Sequence, residues 1–363
     1  MTSTEQSPEA KELALVGKVE LRIALADNDN KLESILKTYL APLLLKLASP
    51  HLSVRNKVIS ICQHVNLRIK PRNIKLPVAA MVEQFKAQPD HPLIRHFDLS
   101  YIQQGVRRLS AAESDALFPI VLRGISTYSS GPAYHGAQML NLLFQVIEHF
   151  HIPPRGTDEE NAFRTKLDLN DQDAEYLASW LGKLILFVPV KSMAAGGSTE
   201  GVSCPGLTAD EYSFLTIQNK DDTWDPSSPQ GLNLFTVKAR ATRLLLSGMF
   251  NDQERLFPAL FASADPASAV SGGGDDMLKR TIPNTDFEDP VIVGKLFLYF
   301  FGEDKVNGRV RARAPLRLKI FGLLSKSIKS TSYSNEIVQM VNQGIAEPVS
   351  GSGPDAMQID RPR

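Results

Sequence analysis

The stretch PLLLKLASPHLSVRNKVISICQHV, residues 42–65 of the 363-residue chain, constrains the fold more than any other segment. It belongs to two apolar stripes at helical spacing, and a Ser-Pro pair at 49–50 separates them. A proline ends a helix, and each of these helices is apolar on one side only. We therefore expect the chain to reverse there, so that both stripes share one apolar layer. The stripes are Leu40, Leu43, Leu44 and Leu47 before the break and Val54, Val58, Ile61 and Val65 after it.

The same order of stripe, break and stripe recurs along the chain. Further breaks lie at 27–30, 129–132, 251–252 and 301–308, and apolar residues at helical spacing flank each of them. The alternation typical of β-strands is not found in the sequence. Such helix pairs bury their apolar faces by stacking on their neighbours. The sequence therefore predicts an all-α fold, an α-solenoid of HEAT-like helical hairpins forming an armadillo-type superhelix.

Two segments indicate the type of repeat. The segments VRNKVISIC at 54–62 and VRARAPLRL at 310–318 both begin with Val-Arg. Three residues after the arginine comes a small or aliphatic residue, Val58 or Ala314, and four residues later an apolar one, Cys62 or Leu318. This register resembles the second helix of a HEAT repeat. In such repeats the arginine usually pairs with an aspartate of the preceding turn, and the turn at 49–53 contains no aspartate.

Composition divides the chain into four parts. Helical hairpins are predicted for 1–190 and again for 232–345, and a loop-rich insert with one short helix is predicted for 191–231. Residues 346–363 are predicted to be a disordered tail. Within the second hairpin region, SADPASAVSGGGDD at 263–276 is predicted to be a flexible insert because it is rich in glycine and serine.

Two helix starts are marked by capping residues. Ser7 stands before Pro8, a pair that suits the N-cap and first turn of a helix. Thr208 and Glu211 in TADE have the spacing of a capping box, which predicts the short helix of the insert.

Charge and cysteine content narrow the classes of function. Lysine and arginine together number 40, as do aspartate and glutamate, so no overall field attracts nucleic acid or anionic lipid. Cys62 and Cys204 are far apart and are expected to be free thiols in a reducing compartment. The N-terminal sequence lacks a signal-peptide pattern, and no run of about 18 apolar residues occurs. We therefore expect a protein that is neither secreted nor membrane-spanning.

Histidine pairs and a glycine run are the first candidates for a site. His149 and His151, like His91 and His96, lack a carboxylate or thiolate at ligand spacing, and we expect them at the surface or at helix ends. GGG at 272–274 follows no strand and precedes no Lys-Ser or Lys-Thr pair. It is interpreted as a flexible linker rather than a phosphate-binding loop.

Catalytic signatures are missing from the sequence. No G-x-S-x-G nucleophile pattern occurs, and Asp168, Asp171 and Asp173 lie in a polar stretch with no apolar setting that would raise a carboxyl pKa. We therefore predict that the chain is not an enzyme and has no catalytic, cofactor-binding or metal-binding residues, and that it uses no cofactor.

GRVRARAPLRLK at 308–319 is the most basic stretch. One interpretation is a contact with an acidic protein surface or with nucleic acid, but no aromatic residues are interleaved for base stacking. The favoured interpretation is a solvated face at the start of a helix, with Arg311 in the structural position of the repeat. The cations of the stretch are Arg309, Arg311, Arg313, Arg317 and Lys319.

Several segments together resemble a known family. They are, in order, KVELRIALADNDNKLESILKTYLAPLLLKLAS, VRNKVISICQHVNLRIKPRNIKLPV, CPGLTADEYSFL with TWDP, and KVNGRVRARAPLRLKIFGLLSKSI. Over residues 13–345 the chain resembles the N-terminal region of the proteasome adaptor and scaffold family, large HEAT-repeat proteins that associate with the 26S proteasome. The resemblance implies an all-helical solenoid without catalytic residues, which helps to hold the regulatory and core particles together or monitors their assembly. It also implies residence in the cytoplasm and nucleus.

Two functions follow from these observations. The leading hypothesis is a non-catalytic scaffold or adaptor that binds proteasome subunits of the regulatory particle, the core particle or both; its partner-binding residues are unknown from the sequence. The alternative is a HEAT-type solenoid that binds nucleic acid or a nuclear-transport partner through 308–319, although the neutral overall charge predicts weak nucleic-acid binding. No small-molecule substrate and no membrane insertion are expected.

Overall fold

All regular structure in the described part of the chain is helical, which confirms the all-α class predicted from the stripes. No helix in this part combines the length and the apolar character that crossing a bilayer requires. A computed structural model of the chain describes residues 7–130, 133–189, 204–217, 222–228, 231–303, 308–325, 327 and 332–346.

The helices form two compact units. Unit 1 comprises residues 1–122 and 142–151, and unit 2 comprises residues 123–141 and 152–363. The boundaries predicted from composition, after 190 and after 231, both fall inside unit 2. Composition marks where loops are long, whereas the units are defined by which residues pack together.

Unit 1 is built from helices joined by short connections. The predicted first N-cap is confirmed: Ser7 Oγ accepts a hydrogen bond from Ala10 N at 3.2 Å, and Pro8 lies in the first turn. The α-helices are α1 (Pro8–Ala24), α2 (Asp29–Leu45), α3 (Leu52–Ile69), α4 (Val78–Ala87), α5 (Pro92–Gly105), α6 (Ala111–Leu122) and the end of α7 (Ala133–Val146), which begins in unit 2. Short 3-10 helices follow α2 at Lys46–Ala48 and α5 at Val106–Arg108.

Helices α1 and α3 lie side by side and run in the same direction. Near their starts, the Ser53 hydroxyl donates a hydrogen bond to the Glu9 carboxylate. Near their ends, the Arg68 guanidinium donates to the backbone carbonyls of Ile23 and, at 2.6 Å, of Ala26. Because α2 joins the end of α1 to the start of α3 and packs on α1, it returns in the opposite direction. Alternate helices are therefore parallel neighbours, as in a two-layer α-solenoid.

The predicted break at Ser49 and Pro50 is confirmed, and the stripes on both sides of it are buried. The 3-10 turn after α2 ends at Ala48, and α3 begins at Leu52. The Arg55 guanidinium donates to the Ser49 carbonyl at 2.6 Å, so a backbone oxygen takes the place of the aspartate that the HEAT register leads one to expect. The stripe residues, each at most 3 % exposed, are Leu40, Leu43, Leu44, Leu47, Val54, Val58, Ile61 and Val65.

Unit 2 contains the remaining helices. Pro315 lies in the first turn of its helix, where its missing N–H costs no hydrogen bond. The longer helices are α10 (Asp171–Leu186), α12 (Leu234–Leu246), α13 (Asp252–Ser263), α14 (Ser268–Thr281), α15 (Pro290–Phe301), α16 (Ala314–Leu324) and α17 (Ser334–Ala346). The shorter ones are α8 (Asp158–Asn161), α9 (Phe163–Lys166), α11 (Ala209–Leu215) and the 3-10 helices Ile125–Ser130 and Ile282–Asn284.

Unit 2 repeats the layered arrangement of unit 1. Before the start of α10, Arg164 pairs with Glu254 in the first turn of α13 at 2.9 Å. Near the end of α10, Gly182 faces Pro258 and Phe261 of α13, so these two helices run in parallel. Helices α12 and α14 also pack against each other, with Gly273 of α14 close to Thr242 of α12. Stacking of alternate helices within each unit confirms the α-solenoid class.

The prediction of a flexible insert at 263–276 is wrong, because the glycine run lies inside α14. Gly274 is buried where α14 approaches the end of α13, and a Cβ atom on it would lie 2.7 Å from Ser263 Cα. A Cβ on Gly273 would likewise lie 2.7 Å from Thr242 Cγ2 on α12. Glycine weakens an isolated helix, but its missing side chain lets helices approach closely. The run is therefore a packing feature and not a linker.

The short helix predicted in the loop-rich insert is α11, and its capping box is confirmed. Thr208 Oγ1 accepts from Glu211 N at 3.1 Å, and Glu211 Oε2 accepts from Thr208 N at 3.0 Å. The chain just before α11 pairs with the chain before α16, since Gly206 N donates to Val310 O at 2.9 Å and Val310 N donates to Leu207 O at 3.1 Å. Parts of the predicted insert and tail lie outside the described residues, namely 191–203, 218–221, 229–230 and 347–363.

Candidate functional site

A cavity of about 330 Å³ opens in unit 2, with walls from α10, α12, α13 and α16. Its lining is mainly apolar and includes Ile185, Leu234, Phe261 and Leu316. Phe235 also lines the cavity and is 56 % exposed, which places it at the rim. Pockets for small ligands measure about 300–1,000 Å³, so this cavity lies at the small end of the range. It has room for one or two side chains of a partner.

Lys238 and Asp265 form a buried ion pair in the cavity wall. Lys238 Nζ donates to Ile185 O at 2.6 Å and to Asp265 Oδ2 at 3.2 Å, while Asp265 Oδ1 accepts from Ala267 N at 2.9 Å. Burial lowers the pKa of Lys238 below its usual range, against the opposing effect of Asp265. Both carboxylate oxygens are therefore engaged, whereas the ammonium uses two of its three donors.

Arg313 brings a second cation to the cavity wall. It occupies the N-cap position of α16, where its backbone carbonyl accepts from Arg317 N at 3.0 Å. Within the described ranges of the chain, the Arg313 guanidinium forms neither an ion pair nor a hydrogen bond. Apolar walls next to a guanidinium without a partner in these ranges suit a ligand that carries an anionic group on an apolar body.

A second polar cluster joins α11 to the segment before α16. Arg309 Nη1 and Nη2 donate to the two Glu211 carboxylate oxygens at 2.7 Å each, and Lys183 Nζ lies 3.3 Å from Glu211 Oε1. Burial raises the pKa of Glu211, but the Arg309 hydrogen bonds and the Lys183 charge outweigh it, so the pKa lies below its usual range. Burial lowers the pKa of Lys183. Because these charges pair with one another, we interpret the cluster as a structural contact between the two segments and not as a ligand site.

The basic stretch 308–319 is not the solvated face that was expected. Arg309 is engaged by the carboxylate just described, and Lys319 pairs with an aspartate of α14 at 2.7 Å. Arg317 is only 5 % exposed, whereas Arg311 is exposed. The buried arginine of this segment is therefore Arg317 and not Arg311, to which the HEAT register gave the structural position.

The histidines considered as metal ligands are exposed. His91 occupies the N-cap position of α5, and the backbone N–H of His151 donates to Asp115 Oδ1 at 2.6 Å. In the described part of the chain, no three side chains of His, Cys, Asp or Glu come together as a metal site. The four exposed residues are His91, His96, His149 and His151.

Both cysteines are free, as predicted, and both are buried. Burial raises the pKa of Cys62 to about 11, and it also raises the pKa of Cys204. The Cys204 thiol donates to Leu186 O at 3.7 Å. Because the thiolate is the reactive form and is scarce at neutral pH in such surroundings, neither residue is placed to act as a nucleophile.

Asp173 was predicted to lie in a polar stretch but is fully buried. Its carboxylate accepts hydrogen bonds from Gly124 N and Ser126 N at 2.8 Å each and from Asn170 Nδ2 at 2.9 Å. It therefore holds the 3-10 turn before α7 against the start of α10. The signal available in the sequence was the N-cap asparagine three positions earlier, which resembles a capping box with Asp in place of Glu. The two other candidates are exposed: Asp168 and Asp171.

Comparison with known proteins finds relatives over nearly the whole chain. Residues 16–357 match the family model described as Proteasome component ECM29, N-terminal. The chain is 30 % identical over 356 residues to the protein named Proteasome component ECM29 of Saccharomyces cerevisiae. It is 29 % identical over 337 residues to the Proteasome-associated protein ECM29 homolog of Drosophila melanogaster, and 23 % identical over 354 residues to the Proteasome adapter and scaffold protein ECM29 of Homo sapiens.

These alignments cover most of this chain but only a small part of each relative. They include 93 %, 90 % and 93 % of this chain, but 18 %, 17 % and 18 % of the yeast, fly and human relatives. The chain therefore spans less than a fifth of the length of these curated relatives. No solved structure matches the chain.

Proposed function

This chain belongs to the family of ECM29 proteasome components, and from that premise we propose that it is a non-catalytic adaptor segment that binds the proteasome. The observation that carries the proposal is the family match from residue 16 to residue 357. The relatives are named as a proteasome component, a proteasome-associated protein, and a proteasome adapter and scaffold protein. The helical architecture supports the proposal, because stacked hairpins offer extended surfaces to protein partners.

The proposal extends to the role of this binding. The segment helps to tether the regulatory and core particles of the 26S proteasome, or to monitor their assembly. Its partners are subunits of the regulatory particle, the core particle or both.

Affinity purification tests the binding. The tagged full chain is expressed in cells and captured, and the recovered proteins are identified and quantified by mass spectrometry. A helical-repeat protein of similar length, carrying the same tag and unrelated to the proteasome, is the matched control. We expect proteasome subunits to be enriched with the chain and not with the control. Equal recovery from both, with the chain shown to be folded by circular dichroism, overturns the proposal.

Native gels with purified particles separate the finer possibilities. The full chain is mixed with core particle alone, with regulatory particle alone, or with both. A shift in the gel band of one particle shows that the chain binds that particle. An increase in core particles joined to regulatory particles supports the tethering role. Unchanged assembly in the presence of a clear shift limits the chain to simple binding.

Binding to nucleic acid, the alternative from the sequence, is disfavoured. The basic stretch that motivated it is engaged by carboxylates at Arg309 and Lys319 and is buried at Arg317. We expect no salt-dependent gel shift of labelled RNA at physiological ionic strength. A shift that weakens steeply with added salt would return this function to first place.

Residence in the cytoplasm and nucleus is part of the same proposal. It follows from the family resemblance, since proteasome binding requires the chain to share compartments with the proteasome. A fluorescent fusion of the full chain in living cells is expected in both compartments. Absence from either compartment would contradict it.

A further inference from the structure

We propose that the cavity in unit 2 binds the C-terminal residue of a partner protein, with an apolar last side chain inside the cavity and the terminal carboxylate on Arg313 and Lys238. This inference deepens the proposed function, because the partner is taken to be a proteasome subunit. The two are tested by separate experiments.

The walls of the cavity select the side chain of the ligand. Ile185, Leu234, Phe261 and Leu316 come from four different helices and surround the space with apolar groups. An aliphatic or aromatic side chain placed there leaves water without losing a hydrogen bond. A polar side chain would lose its hydration and find few partners among these walls.

The charges of the cavity select the second group of the ligand. Two cations and one carboxylate line it, and both oxygens of that carboxylate, Asp265, already accept hydrogen bonds. Lys238 retains one donor, and the guanidinium of Arg313 has no hydrogen-bond partner within the described ranges. The excess positive charge next to apolar walls is complementary to a carboxylate.

The size of the cavity favours a chain terminus as the source of that carboxylate. A cavity of about 330 Å³ lies at the small end of the range for ligand pockets. In a C-terminal residue the carboxylate and the apolar side chain are attached to the same Cα atom, so one residue supplies both groups. An internal segment supplies them from two residues and needs more space. Capture of a terminal carboxylate is an established mode of peptide recognition.

Four labelled hexapeptides test the two requirements on the unaltered full chain by fluorescence anisotropy. All carry the same dye at the N-terminus. The first is Gly-Ser-Gly-Ser-Gly-Leu with a free carboxylate, the second is the same peptide with a C-terminal amide, and the third ends in Gly with a free carboxylate. The fourth, Gly-Ser-Leu-Glu-Gly-Ser amide, offers an internal Leu-Glu pair. We expect the first peptide to bind. Each of the other three should bind at least about tenfold more weakly, since one charge-assisted contact or one buried side chain is lost.

Variants of the chain locate the binding. Arg313→Gln removes the guanidinium and is expected to weaken binding of the first peptide about tenfold. Ala264→Trp places a large side chain on the cavity wall and is expected to abolish binding. Arg243→Gln is the matched control, because Arg243 is exposed on α12 outside the cavity, and binding should be unchanged. Melting curves show whether each variant is folded.

Each outcome decides the inference. Equal binding of the acid and the amide overturns the role of the carboxylate, and equal binding of the Leu and Gly termini overturns the role of the apolar walls. Equal binding of the internal Leu-Glu peptide overturns the assignment to a chain terminus. Binding that survives both Arg313→Gln and Ala264→Trp in folded protein places the peptide elsewhere and overturns the site. If no peptide binds while affinity purification still recovers proteasome subunits, this inference fails and the proposed function stands.

Discussion

Unit 1 and unit 2 stack their helices in the same layered way but differ in how deeply the ion pairs between their helices are buried. In unit 1, arginines donate to backbone carbonyls at the ends of neighbouring helices. Arg108 donates to the carbonyl of Ile69, the last residue of α3, at 3.1 Å, and to that of Ile74 in the following connection at 2.8 Å. Arg68 makes a similar contact with Ala26 O after the end of α1. Cations suit these positions because the carbonyls at the end of a helix lack partners within it and carry partial negative charge.

Unit 2 also contains such contacts, for example from Arg255 to Leu245 O, but it adds buried pairs between cations and carboxylates from distant parts of the sequence. The ion pairs between helices of unit 1, such as Lys46 with Glu12, are more exposed. Arg309 and Glu211 are 98 residues apart, and Arg164 and Glu254 are 90 residues apart. Such a pair is sensitive to the loss of either partner, because the charge left behind is partly buried. A carbonyl at a helix end, in contrast, is present whatever side chain the residue carries. We therefore expect single charge changes to matter more in unit 2, and the apolar layer to dominate in unit 1.

The largest effect is expected from Leu44→Asp in unit 1. Leu44 is fully buried, and an aspartate there must lose its hydration or force the layer open. The free energy of unfolding should fall by more than about 3 kcal/mol. Leu45→Asp is the matched control on the same helix, because Leu45 is 41 % exposed. Urea denaturation followed by far-UV circular dichroism measures both, and equal losses would show that the apolar layer does not hold unit 1 together.

The next effect is expected from Glu211→Gln in unit 2. The amide keeps an acceptor for the capping box but leaves the Arg309 and Lys183 charges without their carboxylate. We expect a loss of about 2–4 kcal/mol in the free energy of unfolding. Glu159→Gln is the control, since Glu159 pairs with Lys166 at the surface and such pairs contribute about 0–1 kcal/mol. Similar small losses for both variants would remove the contrast between the two units.

A smaller pair of opposite effects is expected from the glycines of α14. Gly274→Ala places a Cβ against the backbone of α13 and should cost about 1–3 kcal/mol. Gly272→Ala meets open space on the exposed side of the same helix and should stabilise it by up to about 1 kcal/mol. Thermal unfolding measures both changes. Two near-zero effects would mean that 263–276 is the flexible insert of the original prediction.

An effect that depends on pH is expected at Asp98 in unit 1. Asp98 is fully buried and accepts one hydrogen bond from Gln84 Nε2 at 3.1 Å, and burial raises its pKa to about 7. The unfolded carboxyl titrates at about 3.9. The folded state therefore holds the proton more tightly than the unfolded state. The contribution of Asp98 to stability is fully present below about pH 3.9, declines as the pH rises towards 7, and then levels off.

Asp98→Asn tests this dependence. The amide has no charge to bury, so the variant should gain stability relative to the wild type when the pH is raised from 5 to 8. Urea denaturation at the two pH values measures the change, and the exposed Asp90→Asn variant gives the baseline. A stability difference between Asp98→Asn and wild type that is the same at both pH values would contradict it.

The sequence was sufficient to predict the helices that carry an unbroken apolar stripe. The leucines of α2 and the valines of α3 specify both helices and the reversal at Ser49, because burial of one face determines helical spacing. Helix α14 was missed for a physical reason. Its stripe of Val270, Gly274, Met277 and Leu278 does follow helical spacing, but glycine counts against a helix until its neighbour is known.

The candidate site was less accessible from the sequence. Its walls join residues from 185 to 316 on four helices, and only the stacking of those helices brings them together. Lys238 is, in sequence, an ordinary lysine of an amphipathic helix. The capping box of Glu211 was predicted because it is local, whereas its pairing with Arg309 depends on tertiary structure.

The glycine run of α14 also bears on how the chain reaches its native state. Its glycines cost an isolated helix about 1 kcal/mol each relative to alanine, and a helix of 14 residues is marginal in water even without that cost. This segment therefore becomes helical on docking, and it melts together with the helix that receives it. Amide protons in the middle of α14 should exchange with those of α13 as one cooperative group. During synthesis α13 leaves the ribosome before α14, so the helix against which α14 docks is made first.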